Sequence, residues 1–193
     1  MRSEPDTVGV PIRAEDCIEQ IRHEFPGFRI VPKAQDRVSR AIDAALKIVT
    51  LGGQRHYLTQ YHTVIGYTLY VPESWETATD IDRVILLRHE RVHLRQRQRY
   101  GFALMAFLYL VPFFPLGLAY GRARLEWEAY DETLRATAEH YGLAAVKAKD
   151  FRERIIRRFT GPDYGWMWPF RATVEGWYDR AVSELQHAGS PGE

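Results

Sequence analysis

The sequence feature that most constrains the fold is the run HERVH at residues 89–93, which has the spacing His-Glu-x-x-His. Four residues make slightly more than one turn of an α-helix, so His89 and His93 project from the same helix face and are able to hold one metal ion together. Glu90 is rotated away from that face by about 100° and is able to reach a metal-bound water. The pattern therefore predicts a helix that carries a metal site, with Glu90 as the general base.

Composition limits which side chains are able to bind the metal. Cys17 is the only cysteine, so an intramolecular disulfide and a thiolate metal cluster are excluded, and the ligands must be histidine and carboxylate. The formal net charge is +1, from 26 basic and 25 acidic residues, which gives no general electrostatic basis for binding nucleic acid. The N-terminus carries no apolar run, so we expect no secretory signal and a cytoplasmic location.

Hydrophobic periodicity predicts a mostly helical α+β protein with a small sheet beside the metal-binding helix. Predicted helices cover residues 14–25, 35–51, 80 onward, 121–141, 143–159 and 172–186, and predicted strands cover 28–32 and 62–71. The metal-binding helix begins at a capping box formed by Thr79 and Asp82, and its first half is apolar on nearly all sides, which predicts a buried position. We expect loose termini over 1–13 and 188–193 and a single domain over 14–187.

A third metal ligand is needed because a catalytic zinc usually has three protein ligands and one open position. The order His-Glu-x-x-His-x-x-Gly-x-x-His is excluded, because Gln96 and Arg99 occupy the glycine and second histidine positions. A glutamate on a second helix remains, and residues 124–130 offer Glu126 and Glu128. Glu128 shares its helix face with charged residues, which predicts a solvated side, whereas the face of Glu126 is less charged. The helical pattern favours Glu126 and leaves Glu128 as the alternative.

The pairing of the HERVH run with EWEAY at residues 126–130 resembles the glutamate zincins, or gluzincin metallopeptidases, and most of all the branch that includes the CAAX prenyl protease. In that branch the third ligand leads the motif Glu-x-x-Ala-Asp. This chain matches at Glu126 and Ala129 but has Tyr130 in place of the aspartate that orients a zinc-binding histidine. The resemblance covers about residues 63–133.

The resemblance implies a minimal gluzincin-like metallopeptidase core within residues 14–187, zinc as the cofactor and a peptide or protein as the substrate. It implies metal ligation by His89, His93 and Glu126, and a substrate that lies along the strand before the metal helix, at residues 63–71. An ordinary core strand is the alternative for these residues. A further donor must stabilise the tetrahedral oxyanion during peptide hydrolysis. The candidate donors are Tyr130, Tyr164 and Tyr178.

Residues 101–120 form an uncharged, apolar segment that is long enough to cross a bilayer. A straight span would separate His93 from Glu126 by about 30 Å, which one metal site does not permit. Either the motif is accidental, or the segment folds back as a buried hairpin or as a shallow membrane insertion kinked at Pro112 and Pro115. A buried position is preferred, and membrane contact through 101–120 is the alternative.

Two further alternatives stay open. Arg88, Arg91, Arg95 and Arg99 form one narrow stripe on the metal helix, which usually indicates a solvated edge and otherwise a surface for an acidic partner or lipid headgroups. The rival to a peptidase is a non-catalytic, helical and membrane-associated binding protein in which the His-Glu-x-x-His run is degenerate or accidental. Metal binding separates this rival from the peptidase.

Overall fold

The computed structural model describes residues 13–33, 62–110, 119–161, 167–168 and 170–188, which are mostly helical and include one small sheet. The helices are α1 (Ala14–Glu24), α2 (Ser74–Thr77), α3 (Asp80–Leu110), α4 (Tyr120–Tyr141), α5 (Leu143–Lys147), α6 (Lys149–Thr160) and α7 (Arg171–Ala188). The strands are β1 (Arg29–Pro32), β2 (Thr63–Ile65) and β3 (Thr68–Val71). The mostly helical α+β class predicted from the sequence is confirmed at this level.

The sheet has the order β1-β3-β2, with β1 parallel and β2 antiparallel to the central strand β3. The prediction of one continuous strand over 62–71 is wrong, because β2 and β3 form a hairpin in which Ile65 pairs with Thr68. Gly66 and Tyr67 make the turn, and Gly66 has a φ of 68°, a conformation that two-residue hairpin turns require and glycine adopts without strain. β-Branched residues on both sides of the turn conceal it in the sequence.

Helix α3 begins where the capping box predicts. The backbone N–H of Asp82 donates to the Thr79 hydroxyl at 3.1 Å, and that hydroxyl donates to the Asp82 carboxylate at 2.7 Å. Among the apolar residues in the first turns of α3, Val84 and Leu87 are buried, whereas Ile81 and the other apolar residues are half-buried. The predicted burial therefore holds for one face only. The helix is interrupted at Gly101, whose φ of 75° and ψ of 163° are not helical.

The predicted helix over 143–159 is divided in the structure. Ala148 has an extended ψ of 131°, and it ends α5 and precedes α6 without a glycine or proline that would signal the break. Helix α4 ends as predicted at Gly142, which has a φ of 82° and donates its N–H to Ala138. The short helix α2 has no counterpart in the sequence prediction. The predicted helix over 35–51 lies outside the described residues, as do the predicted loose termini over 1–13 and 188–193 apart from Arg13 and Ala188. Ala188 is the last residue of α7.

Helices α3 and α4 pack as an antiparallel pair. Near the start of α3, Arg88 donates to the carboxylate of Glu139, near the end of α4. At the other end, Gly121 lies against Leu108 so closely that a Cβ added at Gly121 would be 2.7 Å from Leu108 Cδ2. The absence of a side chain at Gly121 therefore permits the close approach of the two helices at this end.

Two apolar clusters lie on opposite sides of this pair. The first is formed by the sheet, α1 and α3, and its fully buried members include Ile21, Leu69, Leu87 and Leu94. The second is formed by α4 to α7, and it is rich in aromatic rings, among them Trp127, Tyr130, Phe159, Trp177 and Tyr178. Of the polar residues between α3 and α4, Glu90, Gln96 and Glu126 are buried, whereas Glu139 is exposed.

The arginine stripe of α3 does not form a simple solvated edge. Arg88 donates to Glu132 at 2.6 Å as well as to Glu139, both on α4. Arg91 and Arg95 each donate to the carboxylate of Glu24 at 2.6 Å, at the end of α1. Three members of the predicted stripe therefore connect α3 to its neighbours.

A straight span over 101–120 is excluded, since α3 and α4 are antiparallel and lie side by side. Leu104 and Phe107 are 45% and 57% exposed, so the preferred prediction of a buried segment is wrong for these two residues. Residues 111–118, which include Pro112 and Pro115, lie outside the described residues. Within the part of the chain that the structure describes, none of the helices has the length and apolar character needed to cross a bilayer.

Candidate metal centre

The two histidines of the HERVH run converge with Glu126 at the interface between α3 and α4. The Nε2 atoms of His89 and His93 lie 4.0 Å and 3.7 Å from Oε2 of Glu126. One ligand atom from each of the three residues lies within 4.8 Å of the others. His89 and His93 lie on adjacent turns of α3, and Glu126 lies on α4. The group therefore exists only because the two helices pack together.

These separations fit a metal ion that is bound by two imidazoles and one carboxylate. Zinc-to-ligand distances of about 2.0–2.2 Å in a tetrahedral site place neighbouring ligand atoms roughly 3.3 Å apart. The three side chains would therefore close by a few tenths of an ångström to about 1.5 Å around an ion. Three protein ligands leave one tetrahedral position open, which is the arrangement of catalytic rather than structural zinc sites.

Glu128 has a different environment from Glu126. Glu126 is 5% exposed and faces the two histidines, as the helical pattern favours. The carboxylate of Glu128 accepts a hydrogen bond from the amide nitrogen of Gln96 at 2.9 Å. Glu128 is half-buried, so its side of α4 is only partly solvated, and its carboxylate contacts α3 through Gln96.

The ring of His89 is enclosed by residues of α4. Its Nδ1 lies 3.0 Å from the hydroxyl oxygen of Thr133, and the ring of Tyr130 packs edge-on against it at a centroid distance of 4.9 Å. Burial holds the pKa of His89 well below its ordinary value, and the neighbouring His93 lowers this pKa further. A neutral imidazole is the form that binds a metal, so this environment favours the ligand form of His89.

His93 has a polar partner on its own helix. Its Nδ1 lies 3.0 Å from the amide oxygen of Gln96, three residues further along α3. Gln96 is itself 4% exposed and also bonds to the Leu125 carbonyl at 2.9 Å. The two histidines therefore have different partners for their Nδ1 atoms, a hydroxyl for His89 and an amide for His93.

Glu90 is buried beside this group. Burial raises the pKa of Glu90 to about 7, and the carboxylate of Glu126 also raises it, whereas positive charge on His93 or Lys33 lowers it. A metal dication next to Glu90 would lower this pKa in the same sense as His93 does. A carboxyl with a pKa near neutrality is suited to accept and return a proton, which is what a general base requires.

Two residues near the group were not predicted from the sequence. Lys33, at the end of β1, is 1% exposed, and its charge acts on both Glu90 and His62. His62 precedes β2 and packs edge-on against Trp75, and burial together with the charge of Lys33 lowers its pKa to about 4. No spacing rule connects the sheet with α3, so only the tertiary structure brings these side chains close enough to interact.

The three candidate tyrosines differ in their positions. Tyr130 contacts the metal group through its ring against His89. Tyr178 donates its hydroxyl to the Val146 carbonyl at 2.5 Å within the second apolar cluster, and burial raises its pKa to about 12. Its hydroxyl is therefore engaged away from the metal group, and the prediction of Tyr178 as an oxyanion donor is wrong. Tyr164 lies outside the described residues.

Comparison of the chain with protein-family models, with curated proteins and with solved structures finds no match in any of the three. The likeness to the glutamate zincins consequently rests on the residues of this chain. Those residues are the HERVH run on α3 and the glutamate and alanine of the EWEAY run on α4.

Proposed function

We propose that this protein is a zinc-dependent peptidase of the gluzincin type, in which His89, His93 and Glu126 bind the metal and Glu90 is the general base. The observation that carries the proposal is the convergence of the three ligand side chains from two separate helices. Chance placement of a His-Glu-x-x-His run does not account for a buried glutamate on another helix that faces both histidines.

In the proposed hydrolysis, the metal activates water and substrate, and Glu90 transfers the proton. When bound, zinc polarises the scissile carbonyl and lowers the pKa of a coordinated water. Glu90 accepts one proton from water as the water oxygen bonds to the carbonyl carbon. Glu90 then returns this proton to the amide nitrogen as the carbon–nitrogen bond breaks, so water is added across the peptide bond and Glu90 is regenerated. Burial of Glu90 supports both transfers, because it raises the pKa of this carboxyl and so opposes the lowering that a metal charge causes.

Metal content tests the ligand assignment. We expect the purified full chain to bind one equivalent of zinc, measured by mass spectrometry of the metal after dialysis, and His89→Ala to lose it. His187→Ala is the matched control, because His187 lies at the exposed end of α7 and bonds to Ser183 on the same helix. A wild-type chain that stays free of zinc under metal-replete conditions would refute the zinc peptidase and favour the non-catalytic rival.

Catalysis requires a separate measurement. Glu90→Gln preserves the shape of the side chain but removes its ability to accept a proton, so the variant should keep zinc and lose hydrolysis of a quenched fluorescent peptide library. Equal cleavage by the wild type and by Glu90→Gln would refute the general-base assignment, whatever the metal content.

Contact with a membrane surface through residues 101–120 is a second proposal, and exposure of Leu104 and Phe107 supports it. The full chain should sediment with phospholipid vesicles, and Phe107→Gln should weaken this sedimentation. Tyr141→Gln is the control, since Tyr141 is an exposed aromatic residue at the opposite end of the α3–α4 pair. Unchanged sedimentation of Phe107→Gln would remove the proposal.

A further inference from the structure

The hydroxyl of Thr133 contacts both the His89 ring and a carbonyl of α4. A hydroxyl has one proton to donate, and that of Thr133 lies 3.2 Å from the Ala129 carbonyl, which is able only to accept. The Thr133 oxygen also lies 3.0 Å from Nδ1 of His89. Both contacts are hydrogen bonds only if the hydroxyl donates to Ala129 and Nδ1 of His89 donates to the hydroxyl oxygen. This arrangement places the proton of His89 on Nδ1 and a lone pair on Nε2.

The amide of Gln96 determines the same property of His93. Its nitrogen has two protons, and it donates one to the Leu125 carbonyl and one to Glu128, each at 2.9 Å. Both partners are acceptors, so the reversed amide would place its oxygen against two other oxygens and is excluded. The amide oxygen must then face Nδ1 of His93, at 3.0 Å, and an oxygen of this kind only accepts. His93 also carries its proton on Nδ1.

Both rings consequently present the Nε2 lone pair to the same point. That point is the space shared with Oε2 of Glu126, which lies 3.7 Å and 4.0 Å from the two Nε2 atoms. An imidazole with the opposite proton position would turn an N–H toward this space and would be unable to bind an ion there.

We infer that Thr133, and Gln96 held by Glu128, are positioning residues that fix both histidines in the Nδ1–H tautomer before any metal binds. This inference rests on the proposed metal site and assigns a role to Glu128, which supports a ligand through Gln96 rather than binding the ion. The aspartate that the gluzincin resemblance leads one to expect at position 130 is absent, and Thr133 occupies the corresponding place one helical turn further along α4. Both partners, the hydroxyl of Thr133 and the amide of Gln96, are uncharged.

The first experiment measures tautomers in the metal-free full chain, by long-range nitrogen–proton NMR spectra of the imidazoles at a pH where the rings are neutral. We expect the Nδ1–H form for both His89 and His93. Thr133→Val, which keeps the side-chain shape without the hydroxyl, should change the tautomer of His89 alone, and Thr133→Ser should preserve it. Gln96→Met should change the tautomer of His93 alone. The ring of His187, remote on α7, provides the internal reference in every spectrum.

The second experiment measures zinc affinity by competition with a chelator. Loss of a residue that supports a metal ligand lowers metal affinity by about 10–100-fold, and this is the loss we expect for Thr133→Val and for Gln96→Met, with recovery in Thr133→Ser. The thermal stability of each variant is recorded beside it. A variant that lowers only the melting temperature, with tautomer and zinc affinity unchanged, would show a merely structural residue and overturn the inference.

The two experiments also separate this inference from the proposed function. A wild-type chain that binds no zinc would remove the metal site, yet the metal-free spectra would still decide whether Thr133 and Gln96 fix the tautomers. A wild-type chain that binds zinc but has the Nε2–H form at either ring before binding would overturn the inference and leave the metal site standing.

Discussion

The sharpest prediction compares two glutamates on the same helix. Glu126→Gln and Glu128→Gln remove the same charge from side chains that differ by two positions on α4. Glu126 faces both histidine Nε2 atoms, whereas Glu128 accepts a hydrogen bond from Gln96. Only the first substitution removes a proposed metal ligand. The second leaves an amide oxygen that is still able to accept the hydrogen bond from Gln96.

The size of the difference follows from the number of ligands. Structural sites with four ligands bind zinc with a free energy of about 10–16 kcal/mol, so each ligand contributes roughly 2.5–4 kcal/mol to binding. At about 1.4 kcal/mol per factor of ten, Glu126→Gln should lower zinc affinity by roughly 10²–10³-fold. Glu128→Gln acts only through Gln96 and should lower zinc affinity by less than about tenfold, below the range for losing such support entirely. Chelator competition at constant pH measures both values.

Thermal unfolding provides a second readout of the same comparison. Zinc at about 100 times its dissociation constant should stabilise the wild type by about 2.7 kcal/mol. For a chain of this length that corresponds to a rise of about 5–11 °C in melting temperature. The rise should persist in Glu128→Gln and disappear in Glu126→Gln.

The outcome that refutes this reasoning is an exchange of the two phenotypes. If Glu128→Gln lost zinc while Glu126→Gln kept it, the third ligand would be the wrong glutamate and the packing of α4 against α3 would differ by rotation. Retention of zinc by both variants would show that neither glutamate is a ligand.

Three further predictions concern the structure that supports the site. Phe159→Ala leaves a cavity at a fully buried position in the aromatic cluster and should lower the free energy of unfolding by about 3–5 kcal/mol in denaturant titrations. A loss below about 1 kcal/mol would contradict the packing of this cluster. The hydrogen bond from Arg95 holds the pKa of Glu24 below its ordinary value, so its contribution to stability is present at neutral pH and is lost as the pH falls through the folded-state pKa. Glu24→Gln should therefore lower the free energy of unfolding by about 1 kcal/mol at neutral pH and by progressively less in acid, measured by denaturant titration at each pH. A difference in stability between the wild type and the variant that grows in acid would contradict this reasoning. Gly121→Ala should lower the free energy of unfolding by about 1–3 kcal/mol, because the added Cβ clashes with Leu108. In a double-mutant cycle, Leu108→Ala should relieve this loss. No coupling between the two substitutions would show that the helices are further apart at this end.

Local signals in the sequence were enough for the elements that depend on local chemistry. The capping box at Thr79 locates the start of α3, and the glycine at 142 locates the end of α4. The hairpin turn at Gly66 was missed because residues that favour strands surround it on both sides. The break at Ala148 has no local signal, and packing of α5 and α6 around the aromatic cluster produces it.

The candidate site divides in the same way. Spacing within one helix brings His89 and His93 together. The same reasoning indicates a contact between His93 and Gln96, which lies three residues further along on the same face. Thr133 and Lys33 were beyond the reach of spacing, because their positions relative to the histidines depend on how α4 and the sheet pack against α3.

The register between α3 and α4 is therefore the property on which the whole group depends. A shift of α4 by one turn would move Glu126 by about 5.4 Å along its axis, which is more than its present distances of 3.7 Å and 4.0 Å to the two rings. The same shift would remove Thr133 from His89 and Glu128 from Gln96. Two contacts at opposite ends of the pair oppose it, the close approach of Gly121 to Leu108 and the hydrogen bonds from Arg88 to α4. Residues outside the proposed ligand set therefore help to determine whether the three ligand atoms meet, because the packing of the two helices determines the separation of side chains on them.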